Sequence, residues 1–260
     1  MLAPRIIPCL LVKNKGLVKT ISFDQPTYVG DPLNAVRIFN EKKVDELMVL
    51  DIDASALNRE PDYRMIEHLA MECRMPLCYG GGIKTVEQAE RIFALGVEKI
   101  AISSAAVDEP DFIAELAARV GNQSVIVVLD VKKRRFGYGY EIRTHNASRK
   151  SNRSLTDFIR LAETKGAGEI VVNSIDRDGT MKGYDLKLAG LVRDLTTLPI
   201  TILGGAGSLN HLGDLISAHG IIGCAAGSLF VFKGKYRAVL ISYPPEIKKI
   251  ELLNSFISNS

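Results

Sequence analysis

One stretch of this chain occurs twice. MPLCYGGGIKTVEQAERIFALGVEKIAISSAAV (75–107) returns as LPITILGGAGSLNHLGDLISAHGIIGCAAGSLFV (198–231), with Gly81 matching Gly204, 123 residues later. The same spacing pairs Glu46 with Glu169, and Ile52-Asp53 with Ile175-Asp176. Matches at one fixed interval over several segments mean that a structural unit is used twice, so the core has to be assembled from two similar halves.

Within each half, short β-rich runs alternate with amphipathic helical stretches, the order expected of βα units around a parallel sheet. Eight runs read as strands: RIIPCLL (5–11), ELMVLDI (46–52), PLCYG (76–80), EKIAIS (98–103), SVIVVLD (124–130), EIVVNSI (169–175), PITILG (199–204) and IIGCAA (221–226). Helical patterns such as PLNAVRIFNEK, DYRMIEHLAMEC, TVEQAERIFALG and SLTDFIRLAETKG lie between them, and several end in the Gly expected just past a helix C-terminus. Eight such units in 260 residues predict an α/β fold, a single (β/α)8 TIM barrel over 1–260. Its half-barrels fall at about 1–122 and 123–232, and residues 233–260 form a C-terminal extension.

Composition narrows the class further. Hydrophobic residues at 47% and charged residues at 24% suit a globular protein and argue against disorder or coiled coil. The longest apolar runs stop well short of the roughly 18 residues a membrane span needs, so no membrane partner is expected. The cysteines (Cys9, Cys73, Cys78, Cys224) form no CxxC pair, and the opening residues lack the order of a signal peptide. A reduced, cytoplasmic protein is the simplest expectation. A formal net charge of +3 gives no ground for a nucleic-acid partner.

The ends of the strands carry the candidate chemistry. Gly81-Gly82 follows the third strand, Ser103-Ser104 the fourth, Gly204-Gly205 the seventh and Gly227-Ser228 the eighth. In a barrel all lie on the C-terminal rim, where exposed N–H groups and helix N-termini favour anions. Two clusters related by the repeat suggest a substrate phosphorylated at both ends; the competing reading is that the glycines only make tight turns. Asp51, Asp53, Asp130, Asp176 and Asp178 share that rim. Of these Asp130 is the sharpest acid/base candidate, because alternation puts it inside the barrel with Ile126 and Val128. A capping carboxylate is the plainer alternative. Cys9 and the scattered His68, His145, His211 and His219 show no metal-ligand spacing, so no metal and no cofactor is expected. At the opposite rim Arg5, Glu46, Lys99 and Glu169 start the first, second, fourth and sixth strands. By alternation they point inward as an ionic ring and polar gate, or else they snorkel to solvent.

RIIPCL, DELMVLDIDAS, YGGGI, EKIAIS, GAGEIVVNSIDRDGT, GYD and LPITILGGAG together resemble the cyclase subunit of imidazole glycerol phosphate synthase, over nearly the whole chain to about residue 232. The resemblance implies a barrel of two half-barrels and a glutaminase partner docked on the N-terminal face as a heterodimer. Ammonia then passes through the barrel, and Arg5, Glu46, Lys99 and Glu169 match the family's ammonia gate. In the family, ammonia and a bisphosphorylated ribulosyl formimino nucleotide give imidazole glycerol phosphate and an aminoimidazole carboxamide ribotide. It implies catalytic roles for Asp130, Asp178 and Lys19, and phosphate binding at Gly81, Gly82, Ser103, Ser104, Gly204, Gly205, Gly227 and Ser228. Two departures stand out: Leu11 occupies the position of the family's other catalytic Asp, at the end of the first strand, and Ser103 replaces its usual Asn. IPCLLV, RAVLISYP and a long basic loop look like the family's second-copy branch, which occurs with surface-polysaccharide (O-antigen) genes.

Two functions therefore compete. One is an active cyclase subunit of the histidine-biosynthesis type. The other is a cyclisation-deficient subunit that conducts ammonia to a sugar-amidating synthetase, a third partner at the C-terminal rim, in lipopolysaccharide biosynthesis. A phosphosugar isomerase on the same plan also needs two rim carboxylates, and Leu11 counts against it. Residues 132–153 hold eight Lys/Arg and one Glu, a net of +7, so the rest of the chain is acidic. That segment reads as a solvated lid, or as a recruiter of an anionic substrate or acidic partner surface.

Overall fold

Each of the eight β-rich runs becomes a strand of one barrel, and their residue alternation decides what lies inside it. The computed structural model describes the backbone of residues 3–257 and side chains as far as residue 252, so the ends of the expected 1–260 domain lie outside the described residues. The barrel strands are β1 (Arg5–Lys13), β2 (Leu47–Asp51), β3 (Leu77–Gly80), β4 (Lys99–Ile102), β5 (Val125–Lys133), β6 (Glu169–Ser174), β7 (Ile200–Leu203) and β8 (Gly223–Ala226). Each pairs in parallel with the next, and β8 pairs with β1, which closes the cylinder.

Closure gives every strand an inner and an outer face. Outward residues such as Ile6, Leu10, Val49, Tyr79, Val127 and Val172 join the helices in the main core. Inward residues, including Ile7, Met48, Cys78, Ile126, Val171 and Ala225, form a second, smaller core along the axis.

The outer helices begin where the sequence supplies a side-chain cap, except the one at Asp111–Val120, which follows Pro110. α1 (Pro32–Glu41) starts behind Asp31, whose side chain accepts the Asn34 N–H, and α2 (Tyr63–Glu72) behind Asp62. α3 (Val86–Ala94) carries a full capping box between Thr85 and Gln88. α4 (Asp111–Val120), α5 (Leu155–Thr164), α6 (Leu186–Arg193) and α7 (Leu209–His219) complete the outer layer of the repeat. The C-terminal helix α8 (Glu246–Ile257) packs on α7. The segment before it is fixed to β1, because the Tyr243 hydroxyl donates to the Ile6 carbonyl at 2.9 Å.

The two halves match in register. In the first, Cys9, Leu10, Leu11 and Val12 face Met48, Val49, Leu50 and Asp51. In the second, Val128, Leu129, Asp130 and Val131 face Val171, Val172, Asn173 and Ser174. Leu11 is thus the structural counterpart of Asp130, and Leu50 of Asn173. The turns after β3 and β7 also correspond: a side chain on Gly81 would meet the Asp51 carbonyl at 2.5 Å, and one on Gly204 the Ser174 carbonyl at 2.8 Å.

One segment differs from its sequence reading. Residues 132–153 are not a long loop: β5 runs on to Lys133, and strands 140–144 and 149–154 fold back as an antiparallel ribbon. The strand is hard to see because only Ile142 and Thr144 are buried in an otherwise polar run. The first half has the same excursion, with strands 16–21 and 24–30 after β1. Its turns, Asn14-Lys15 and Ser22-Phe23, hold both central residues at positive φ, as tight hairpins require.

Candidate functional site at the two ends of the barrel

At the N-terminal end, the four charged side chains meet. Arg5 donates to Glu46 at 2.7 Å and to both oxygens of Glu169 at 2.6 and 3.2 Å. Lys99 donates to Glu46 at 2.8 Å and lies 3.6 Å from Glu169. Both glutamates are buried, so isolated they would be costly; two cations against two anions make the cluster neutral. Burial works against the charge on Arg5, yet Glu169 and Glu46 hold its guanidinium protonated above the ordinary arginine value. Above the ring the axis is apolar, lined by Ile7, Met48, Ala101, Ile126 and Val171.

At the C-terminal end the axis opens into a cavity that receives residues from both halves. Lys19, Asp130 and Asp178 all line it, as do Gly81, Gly82, Ser103, Ser104, Gly204, Gly205, Gly227 and Ser228. Asp130 lies inside the barrel as alternation required, and its carboxylate accepts from Asn173 Nδ2 at 3.1 Å. Burial raises its pKa to about 7, with nearby Asp178 adding to the effect and the Asn173 bond opposing it. A carboxyl poised there can take or give a proton near neutrality.

Lys19 comes from the hairpin after β1 and is buried, donating to the Cys9 carbonyl at 2.7 Å. Burial lowers its pKa. Gly227 makes room for it, since a Cβ there would lie 2.2 Å from Lys19 Nζ. Asp178 accepts from the Thr20 hydroxyl at 2.7 Å and the Phe23 N–H at 3.2 Å, and burial raises its pKa. The hairpin is therefore tied to the loop after β6, across the seam between the halves.

The other rim carboxylates are occupied. Asp51 lines the cavity but caps the following turn through the Asp53 and Ala54 N–H groups. Asp53 pairs with Lys13 and Arg59, and Asp176 accepts the Lys133 N–H at 2.8 Å, which anchors the basic ribbon. Ser104 also serves the ribbon: its hydroxyl accepts the His145 N–H at 2.9 Å, bringing Asn146 to the cavity wall.

Leu11 lies beside Leu50 on the cavity wall, and Leu203 lies beside Asn173, which donates to Asp130. Asn173 Oδ1 is buried without a hydrogen-bond partner. The alternation that picked out Glu169 reaches Asn173 two inward positions later, but one strand alone cannot show that it meets Asp130. Among the described residues no group of three or more His, Cys, Asp or Glu could hold a metal, and no helix is long and apolar enough to cross a membrane.

Comparison with known proteins adds a further line of observation. Residues 5–237 match the family described as histidine biosynthesis protein. The chain is 56% identical over 253 residues to a Vibrio vulnificus protein provisionally named imidazole glycerol phosphate synthase subunit hisF3, covering 97% of each. A Leptospira interrogans protein, provisionally named imidazole glycerol phosphate synthase subunit HisF, is 58% identical over 244 residues, 94% of this chain and 96% of its own. Imidazole glycerol phosphate synthase subunit HisF of Streptomyces coelicolor is 37% identical over 231 residues, 89% of this chain and 91% of its own.

Proposed function

This chain belongs to the histidine biosynthesis protein family, and from that premise we propose that it is the cyclase-type synthase subunit of a glutamine amidotransferase. A glutaminase subunit docks on the N-terminal face, ammonia passes the ring of Arg5, Glu46, Lys99 and Glu169, and a bisphosphorylated substrate binds in the rim cavity. The observation that carries this reading is the single cavity that collects Asp130, Lys19 and Asp178 between two glycine-serine clusters, directly above the closed ring.

Each part has a physical task. In neutral water ammonia is mostly protonated and is no nucleophile, so an apolar axis delivers the free base. The rim clusters present backbone N–H groups and hydroxyls to the two phosphates, the second from the loops after β7 and β8 where barrels of this kind often hold one. Asp130, with a pKa of about 7, moves the proton released as ammonia adds. Asp178 and Lys19 close one wall of the cavity over the substrate.

The test is direct. The purified protein, given the bisphosphorylated ribulosyl formimino nucleotide and an ammonium salt at high pH, should form imidazole glycerol phosphate. No product under conditions where Leu11→Asp produces it would remove the cyclase reading.

A second reading is favoured by the Leu11–Leu50 pair, which places two leucines where the other half has a hydrogen-bonded acid and amide. Leucine can neither give nor take a proton. On this reading the barrel cyclises poorly and instead conducts ammonia to a sugar-amidating synthetase at the C-terminal rim, beside the basic ribbon, in the manner of the polysaccharide-associated branch. Labelled glutamine nitrogen should then reach an amidated sugar, and bulky replacements of Lys99 or Glu169 should stop it. Equal transfer with those replacements would exclude the conduit.

A further inference from the structure

Thr201 is fully buried on β7, a strand that contributes no charge to the ring. Its hydroxyl donates to Glu169 Oε1 at 2.5 Å and itself accepts from Arg5 Nη2 at 3.4 Å. Register explains the meeting: Thr201 and Arg5 both pair with Gly223 and so flank β8 at one height. A Cβ on Gly223 would lie 1.8 Å from Thr201 Oγ1. The absent side chain is the space through which the hydroxyl reaches the ring.

The repeat shows what this arrangement replaces. In the first half Cys78 pairs with Lys99; in the second Thr201 pairs with Gly223 at the matching places. Lys99 donates to Glu46 at 2.8 Å, the glutamate of its own half. Thr201 does the same for Glu169, and Arg5 spans both glutamates. A second lysine, at position 223, would give three cations against two anions and leave an uncompensated buried charge. A hydroxyl supplies the donor and keeps the ring neutral.

We propose that Thr201 is a positioning residue of the ring, the second half's counterpart to the Lys99 hydrogen bond, and that it holds Glu169 against Arg5 so that the β7–β8 side stays shut. Only the purpose of that closure rests on the gate reading above; the closure itself can be measured without ammonia or a partner. Cys78 is fully buried and pairs with Lys99 beside the ring, whereas Cys224 is buried among the helices on the outer face of β8. The full-length chain is treated with iodoacetamide at one fixed pH, and alkylation of each cysteine is followed by mass spectrometry.

Thr201→Val, which keeps the shape and removes the donor, should speed alkylation of Cys78 by roughly tenfold or more, the size expected for losing a hydrogen bond to a charged group. Thr201→Ser should restore the original rate, and Cys224 should not change. Thr201→Ala serves as the second donor-less variant if valine does not fold. The proposal is overturned if the donor-less variant labels Cys78 at the original rate, if serine labels as fast as valine, or if Cys224 accelerates in step. The stated labelling changes with ammonia transfer unaltered would tell against the gate reading and leave the Thr201 closure standing.

Discussion

The two halves of the barrel share register, turns and rim excursions, yet at the upper layer of the axis one carries Leu11 and Leu50 where the other carries Asp130 and Asn173. At the lower layer the difference runs the other way: both halves keep a glutamate, while the donors around it differ, Arg5 and Lys99 in the first half and Thr201 in the second. Backbone geometry therefore does not decide the chemistry of a layer. A neutral ring can be built with different donors as long as charge balances. A proton-transfer pair has no substitute when one side becomes aliphatic.

That contrast can be attacked at several points. The largest effect should come from Asp130→Asn, which leaves neither half with a carboxylate at this layer. It should lower ammonium-dependent formation of imidazole glycerol phosphate by about 10²- to 10⁴-fold, and steady-state rates that stay equal would show that Asp130 does not differ functionally from Leu11.

Next in size is the ring. Lys99→Met leaves Glu46 and Glu169 with Arg5 as their one cation, and chemical denaturation should show a loss of about 3–5 kcal/mol, the usual cost of breaking a buried pair. A loss below about 1 kcal/mol would mean that the lower layer is solvated and not a closed ring.

A third comparison uses pH. The folded pKa of Asp130, about 7, lies above the ordinary aspartate value, so the native state still holds its proton when the unfolded chain has released it. Stability then falls as pH rises from roughly 4 to 7 and stays lowered above that. Asp130→Asn lacks this penalty, so its stability relative to the parent should rise by roughly 2–4 kcal/mol between pH 4 and pH 8. A difference independent of pH would place the Asp130 carboxyl in water.

The smallest effect concerns the rim. Ser104 accepts the His145 N–H, while among the described residues its counterpart Ser228 holds no such bond to a hairpin. Ser104→Ala should cost about 0.5–1.5 kcal/mol and hasten proteolysis within 140–154. Ser228→Ala should do neither, and equal behaviour of the two would erase the asymmetry.

Much of this was legible in the residues. All eight barrel strands stand where the apolar runs place them, because a parallel strand buried on both faces needs a continuous hydrophobic segment. The repeat located the glycine turns, and alternation placed Arg5, Lys99, Glu169 and Asp130 on inner faces. The basic ribbon was not legible as strands, since Ile142 and Thr144 alone report its buried side. Thr201 and Asn173 were hidden for another reason. Their roles depend on partners on neighbouring strands, which become visible only when the barrel closes and Gly223 is seen to leave a space. Thr201 had one available signal, its place in the repeat opposite Cys78.

The central claim is that Leu11, standing where the repeat puts the counterpart of Asp130, separates the two halves chemically. Leu11→Asp, assayed with the bisphosphorylated substrate and ammonium at high pH, tests it most directly. The account predicts that imidazole glycerol phosphate formation rises by about 10²-fold or more, and that Asp130→Asn in the same background abolishes the gain. A folded Leu11→Asp protein with no increase would contradict it.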